Sequence, residues 1–130
     1  MATPTKAART LVAASTSNTA GSTTRGTLDL RTTFGGILTV KMINGATGPT
    51  VQCTCNVLVA HNAASTPTAA SRGADWKTIA SFGNGTINSA TNEFTMSIPK
   101  DVMHLEIEFT GNTAQTVTVE AFLSETSSIA

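Results

Sequence analysis

The sequence predicts an all-β protein, an antiparallel β-sandwich of about seven or eight strands, jelly-roll or immunoglobulin-like, preceded by an extended N-terminal arm. Three observations carry this expectation. Apolar residues recur with a period of two at Val51, Cys53, Cys55, Val57 and Val59, with Gln52, Thr54 and Asn56 between them, as in a strand that buries one face. The same alternation returns at Phe94, Met96 and Ile98, at Leu105, Ile107 and Phe109, and at Val117, Val119, Ala121 and Leu123. Threonine is abundant and the helix formers Leu, Glu and Lys are scarce, a balance that favours pleated strands over helices.

Residues 1 to 25 are rich in Ala, Ser, Thr and Gly and show weak periodicity, so they read as an extended arm. Such a segment is ordered only when something pins it. Neighbouring subunits are expected to hold both this arm and the Ser-rich tail, 124 to 130, while 26 to 123 form the sandwich domain. In this reading, deletion of residues 1 to 20 leaves the sandwich folded.

Leu28 and Leu30 alternate with Thr27, Asp29 and Arg31 in a first clear strand, and Phe34-Gly35-Gly36 supplies a turn or bulge. Residues 37 to 43 are apolar on both sides and suit a central position. Asn44-Gly45, lying between two strand patterns, predicts a hairpin. Residues 60 to 74 form a loop longer than usual connections, the kind that commonly carries contacts. The strand at 75 to 82 places Trp76, Thr78, Ala80 and Phe82 on one side, with Trp76 as a core or partner-binding anchor. Turns at 83 to 86 and 99 to 101 bracket the strand at 92 to 98, and 111 to 114 closes a last hairpin between the strands at 103 to 110 and 115 to 123.

At 130 residues the chain is one ordinary domain. Eight basic residues balance eight acidic ones, and only 12% of the chain is charged, which argues against nucleic acid and anionic membrane as partners. No stretch approaches the roughly 20 apolar residues of a membrane span, and the short apolar run after Arg9 does not suit a signal peptide. Cys53 and Cys55, two apart on one strand, point the same way and are expected as buried free thiols, because bridging them would strain the strand.

Chemistry-bearing constellations are sparse, so no catalytic, cofactor-binding or metal residues are assigned. His104, Glu106 and Glu108 share one face of a strand, with Glu120 or Asp29 as a possible further zinc ligand. The ordinary expectation for such a row is a solvated or inter-subunit polar face. His61 and His104 are the only histidines, and no serine sits in a nucleophile elbow. Glu93, Glu106, Glu108 and Glu120 offer acids for glycoside hydrolysis, but without the aromatic lining such clefts use. Gly35-Gly36 and Asn44-Gly45 lack the Lys-Ser/Thr of a phosphate loop. Asn84-Gly85-Thr86 matches a glycosylation acceptor by coincidence. An enzyme is not expected.

Residues 28 to 50 (LDLRTTFGGILTVKMINGATGPT) and 111 to 121 (GNTAQTVTVEA) resemble the small β-sandwich structural proteins of tailed bacteriophage virions, which decorate or cement capsids or build the neck and collar. The resemblance covers Gly26 to Leu123. It implies a homo-oligomeric, non-enzymatic virion component, made in the host cytoplasm, whose partners are the major capsid protein, other virion structural proteins or its own copies. Few charges lower the desolvation cost of packing subunits together. The expected contact regions are the arm from Thr3 to Thr24, the loop 60 to 74 and the tail from Glu125. A neck, collar or tail component is the nearest alternative. A carbohydrate-binding or adhesin module is another, against which stands the shortage of Tyr and Trp for sugar stacking.

Overall fold

The computed structural model describes residues 3 to 68 and 75 to 129. The eight strands in it are β1 (Pro4–Asn18), β2 (Thr24–Asp29), β3 (Gly36–Asn44), β4 (Thr54–Ala60), β5 (Lys77–Gly83), β6 (Thr91–Ile98), β7 (His104–Thr110) and β8 (Val117–Ile129). They form two four-stranded antiparallel sheets, ordered β1-β8-β3-β6 and β2-β7-β4-β5. The pairs β1/β8, β2/β7, β3/β6 and β4/β5 are those of one long hairpin, and the contacts β3/β8 and β4/β7 roll it up. The protein is a jelly roll, the first of the two sandwich types that the periodicity predicts.

The period of two explains how the layers meet. Leu38, Val40 and Met42 of β3 and Val119, Ala121 and Leu123 of β8 face Cys55, Val57 and Val59 of β4 and Leu105, Ile107 and Phe109 of β7, and all are buried. Each large side chain removed from water contributes about 2 kcal/mol. Strand β3 is central in its sheet, as its two apolar faces predict, although Ile37 on its outer face is exposed.

Two connections differ from their sequence reading. Asn44-Gly45 and residues 111 to 114 are not hairpin turns, because β3 and β4, like β7 and β8, belong to opposite sheets. Turn-forming residues mark where a chain reverses, and the choice of neighbour is made by the core. These crossings are held by buried asparagines. Asn44 donates to the carbonyls of Gly85 (3.2 Å) and Ile87 (2.9 Å) and accepts from Asn84 Nδ2 (2.7 Å). Asn112 donates to the carbonyls of Asn18 (3.0 Å) and Gln115 (2.9 Å), and accepts from Asn18 Nδ2 (2.6 Å). The Asn84 side chain of the glycosylation match is buried with its amide engaged, so the folded chain does not offer it for modification.

Residues 4 to 18, read from composition as an arm, form edge strand β1 along β8, and Pro4 pairs with Ile129. Val12 lies in the core, so deleting residues 1 to 20 removes part of the sandwich and bares the edge of β8. Three register shifts interrupt the β1/β8 ladder. The extra residue between Thr10 and Val12 moves the inward phase of β1 by one, and the four residues from Val12 to Thr16 span only two of β8, so the sequence periodicity there is weak.

Trp76 also departs from its predicted side. A register shift between Val57 and Leu58 places Ala80 and Phe82 against the main core, whereas Trp76 packs with Leu58 and Ala60 in a separate cluster. Its indole N–H donates to the Thr68 carbonyl (3.0 Å), and the ring is buried.

Cys53 and Cys55 are free, buried thiols. Burial pushes the first up to about 11 and the second up to about 12 from 9.0. Because the unfolded thiols ionise at lower pH, the stabilisation is complete below pH 9 and is lost as pH rises through the folded values. Unfolding free energy is expected to fall above pH 9 by about 1.4 kcal/mol per pH unit for each thiol, with a flatter profile in the Cys53→Ala/Cys55→Ala protein. Equilibrium denaturation from pH 7 to 10.5 checks this.

Candidate functional site

The two outer sheet faces contrast sharply. On the β2-β7-β4-β5 sheet, the middle strand β7 points His104, Glu106 and Glu108 outward, yet all three are buried. The expectation of a solvated or inter-subunit polar face is therefore corrected. The physical reason lies in what surrounds the row. Strands β2 and β4 flank it, opposing Asp29 and Ala60 to His104, Thr27 and Leu58 to Glu106, and Arg25 and Asn56 to Glu108. The connection after β4 returns over the strand ends: His104 Nε2 lies 2.8 Å from the Asn62 carbonyl, and Arg31 Nη1 donates to the Ala63 carbonyl (3.1 Å).

The buried charges are held by specific partners. Glu108 is ion-paired with Arg25 and accepts from Asn56 Nδ2 (3.0 Å), while Asn56 Oδ1 accepts from the Ser81 hydroxyl (2.7 Å). Since a carbonyl only accepts, the Nε2 of His104 carries a proton, and its Nδ1 lies 3.9 Å from Asp29 Oδ1. The Arg31 guanidinium, with Nη2 2.7 Å from Asp29 Oδ2, and the Arg31 backbone N–H hold the Asp29 carboxyl well below the usual carboxylate range.

The structure separates most of the candidate acids. Glu106 and Glu108 lie on this face, whereas Glu93 and Glu120 lie on the outer face of the other sheet, flanking Lys41 at 3.9 and 4.0 Å. Of the two further ligands considered for His104, Asp29 comes beside it and Glu120 does not. Among the described residues no group of three or more His, Cys, Asp or Glu is placed to hold a metal ion. His61 is exposed at the start of the long loop.

The outer face of the β1-β8-β3-β6 sheet is open. Across it run Ile37 opposite Ser124 and Ser97, then Thr39 opposite Phe122 and Thr95, then Lys41 opposite Glu120 and Glu93. Ile37 and Phe122 are exposed diagonal neighbours, and Phe34, also exposed, is tied to β8 by its N–H donating to the Thr126 carbonyl (2.9 Å). Apart from the Lys41 group and the exposed Lys6 opposite Thr126, the face is built from Thr, Ser and apolar residues. Where β1 bulges, with Ser15 at φ 62°, a hollow of about 170 Å³ opens between Ala14, Ser15, Lys41, Ile43 and Glu120. The contact regions expected from the sequence were the arm, the loop and the tail and did not include this face, although the alternation of β3 and β8 carries it. The buried acid row gave no such signal, because its cover comes from residues distant in the chain.

Of the expected contact regions, the arm and tail form the β1/β8 edge, the loop meets the acid row at His104 through Asn62 and Trp76 through Thr68, and residues 69 to 74 lie outside the described residues.

No protein-family model and no curated protein matches this sequence. Solved structures do resemble it. Dimeric latent PorU from Porphyromonas gingivalis is similar with a TM-score of 0.53 and 15% identity, over 93% of this chain and 12% of that one. The infectious bursal disease virus VP2 subviral particle gives a TM-score of 0.50 and 12% identity, over 94% of this chain and 32% of that one. The K3 cleaved adhesin domain of Lys-gingipain from Porphyromonas gingivalis gives 0.49 and 14%, over 78% and 62%. This chain thus spans less than two thirds of each. At these identities the likeness is one of fold, and the chain shares its β-sandwich architecture with parts of larger proteins.

Proposed function

We propose that this protein is a structural subunit of a virus particle, of the tailed-bacteriophage kind, which decorates or cements the capsid by bridging neighbouring subunits. The observation that carries the reading is the outer face of the β1-β8-β3-β6 sheet. It is wide, with exposed Ile37 and Phe122 among Thr and Ser side chains and its charges confined to Lys6 and the Lys41, Glu93 and Glu120 group. Such a face desolvates at low cost, and the jelly roll beneath holds it rigid, so little ordering entropy opposes docking. Repetition around a shell then multiplies weak contacts into durable ones. The fold is one that a virus uses for VP2 of a subviral particle. The role is one of binding, not catalysis.

Burial of Trp76 in its own cluster removes Trp76 from sugar stacking and leaves the carbohydrate-binding alternative only exposed phenylalanines such as Phe34 and Phe122. Quantitative mass spectrometry of purified virions tests the proposal. The expected result is this chain in fixed stoichiometry near that of the major capsid protein; a copy number of a dozen or fewer assigns it to neck or collar, and absence from virions overturns the proposal.

A further inference from the structure

The four edge strands of the sandwich are β1, β6, β2 and β5, and three of them are blunted against pairing with another chain. Strand β1 carries three register shifts together with Pro4, Lys6 and Arg9. The backbone of β1 crosses β2 so closely at Gly26 that a Cβ there would lie 2.0 Å from the Leu11 carbonyl oxygen. Strand β5 has a register shift, and the Gln52 side chain lies over Gly83. Strand β6 differs from all of these. Its ladder with β3 runs from Thr91 to Ile98 without a shift, and it contains no Pro, Lys or Gly. Beside it the flank of the core is incompletely covered: Phe94 stacks on Phe82 with ring centroids 4.7 Å apart, and Phe82, Phe94 and Met96 are only partly buried.

The direction of the free backbone groups follows from one hydrogen bond. The Asn44 N–H donates to the Ala90 carbonyl (2.8 Å), so Ala90 faces β3. Residues two apart repeat that orientation, so 92, 94, 96 and 98 also face β3. The N–H and C=O groups of Thr91, Glu93, Thr95 and Ser97 point away from the sheet.

We propose that β6 pairs antiparallel with β6 of a second copy about a two-fold axis at Thr95, joining two sheets into one of eight strands. The register is selected by charge and by hydrogen bonding. Outward-facing residues must oppose outward-facing residues, so the axis passes through a residue and not between two. An axis at Glu93 would oppose two carboxylates, and one at Phe94 would leave them diagonal neighbours, both unfavourable. An axis at Thr95 sets Glu93 across from Ser97 and Phe94 across from Met96, and it pairs residues 92 to 98 throughout. Aromatic–thioether contact adds to the covered area. The partner is identical, so the surface is self-complementary as a two-fold interface requires.

The inference deepens the reading of the chain as an assembling subunit, and its test separates the two. Sedimentation equilibrium of the full chain is expected to show a two-chain mass that becomes a one-chain mass in Thr95→Pro and in Thr95→Lys. Proline is tolerated on an edge strand whose N–H faces solvent, so both variants should retain the wild-type far-ultraviolet spectrum and cooperative unfolding. Under mild oxidation Thr95→Cys should cross-link, since opposed Cα atoms in such a pair lie about 5.5 Å apart, within disulfide reach. Thr91→Cys should not, because the two copies of residue 91 lie about 27 Å apart at roughly 3.4 Å per residue. The buried native thiols leave the background low. A monomeric wild type, a dimer that survives both Thr95 substitutions, or equal cross-linking at 91 and 95 overturns the pairing. Monomeric protein found in virions would overturn this edge contact alone, whereas a β6-linked dimer absent from virions would overturn the proposed function alone.

Discussion

Replacing Gly26 with valine is expected to leave no cooperatively folding protein. Gly26 lies in β2 opposite Ile107, where β1 crosses the open side of the sandwich. A Cβ at this position would stand 2.0 Å from the Leu11 carbonyl oxygen and 2.5 Å from its carbon. Both are backbone atoms, which no rotamer change can move aside. Overpacking within a core costs about 1 to 3 kcal/mol when side chains can shift. Here a strand must separate from the sandwich, and with it Val12, which belongs to the core. Alanine at 26 should be severely destabilising and valine should abolish folding. Gly45→Ala supplies the control, because the nearest atom to its Cβ would lie 3.9 Å away, and it should be near neutral. Soluble yield and urea unfolding of the three variants measure the series.

This close crossing shows where sequence reading stops. The inward rows of β3, β4, β7 and β8 were legible because an uninterrupted period of two projects onto one face, and Leu38, Val57, Ile107 and Leu123 are all buried accordingly. Strand β1 was obscured by its irregular pairing, in which the extra residue between Thr10 and Val12 shifts the phase of alternation. The same effect at Val57/Leu58 turned Trp76 away from the side that Phe82 takes. Strand neighbours were beyond local pattern altogether. Asn44-Gly45 carries a strong hairpin signal, yet closing the jelly roll places β3 between β8 and β6. A turn motif encodes a change of direction, whereas pairing is decided by where two apolar faces can meet.

The row His104, Glu106 and Glu108 was legible as a shared face and illegible as a buried one, since alternating polar residues ordinarily mean solvent. That difference gives the second large effect: Arg25→Ala is expected to destabilise the fold by about 3 kcal/mol. Glu108 is 1% exposed and paired with Arg25. Removing one member of a buried ion pair leaves the other charge desolvated without its compensation. The cost sits toward the lower end of the usual range because Arg25 is itself 29% exposed and water can enter where its side chain was. The sharper test is the double variant Arg25→Met/Glu108→Gln. Glutamine still accepts a hydrogen bond from Asn56 Nδ2, which is 3.0 Å from Glu108 Oε1, and carries no charge to desolvate, while methionine retains the apolar stem of arginine over the sheet. The double variant should therefore be more stable than Arg25→Ala by at least about 1 kcal/mol, since a buried pair replaced whole costs less than a pair broken. Chemical denaturation of the wild type, single and double variants decides the point: Arg25→Met alone keeps the stem but breaks the ion pair and should be less stable than the double variant, whereas equal stability of Arg25→Met and the double variant would mean that the guanidinium acts through packing and not through the charge it neutralises.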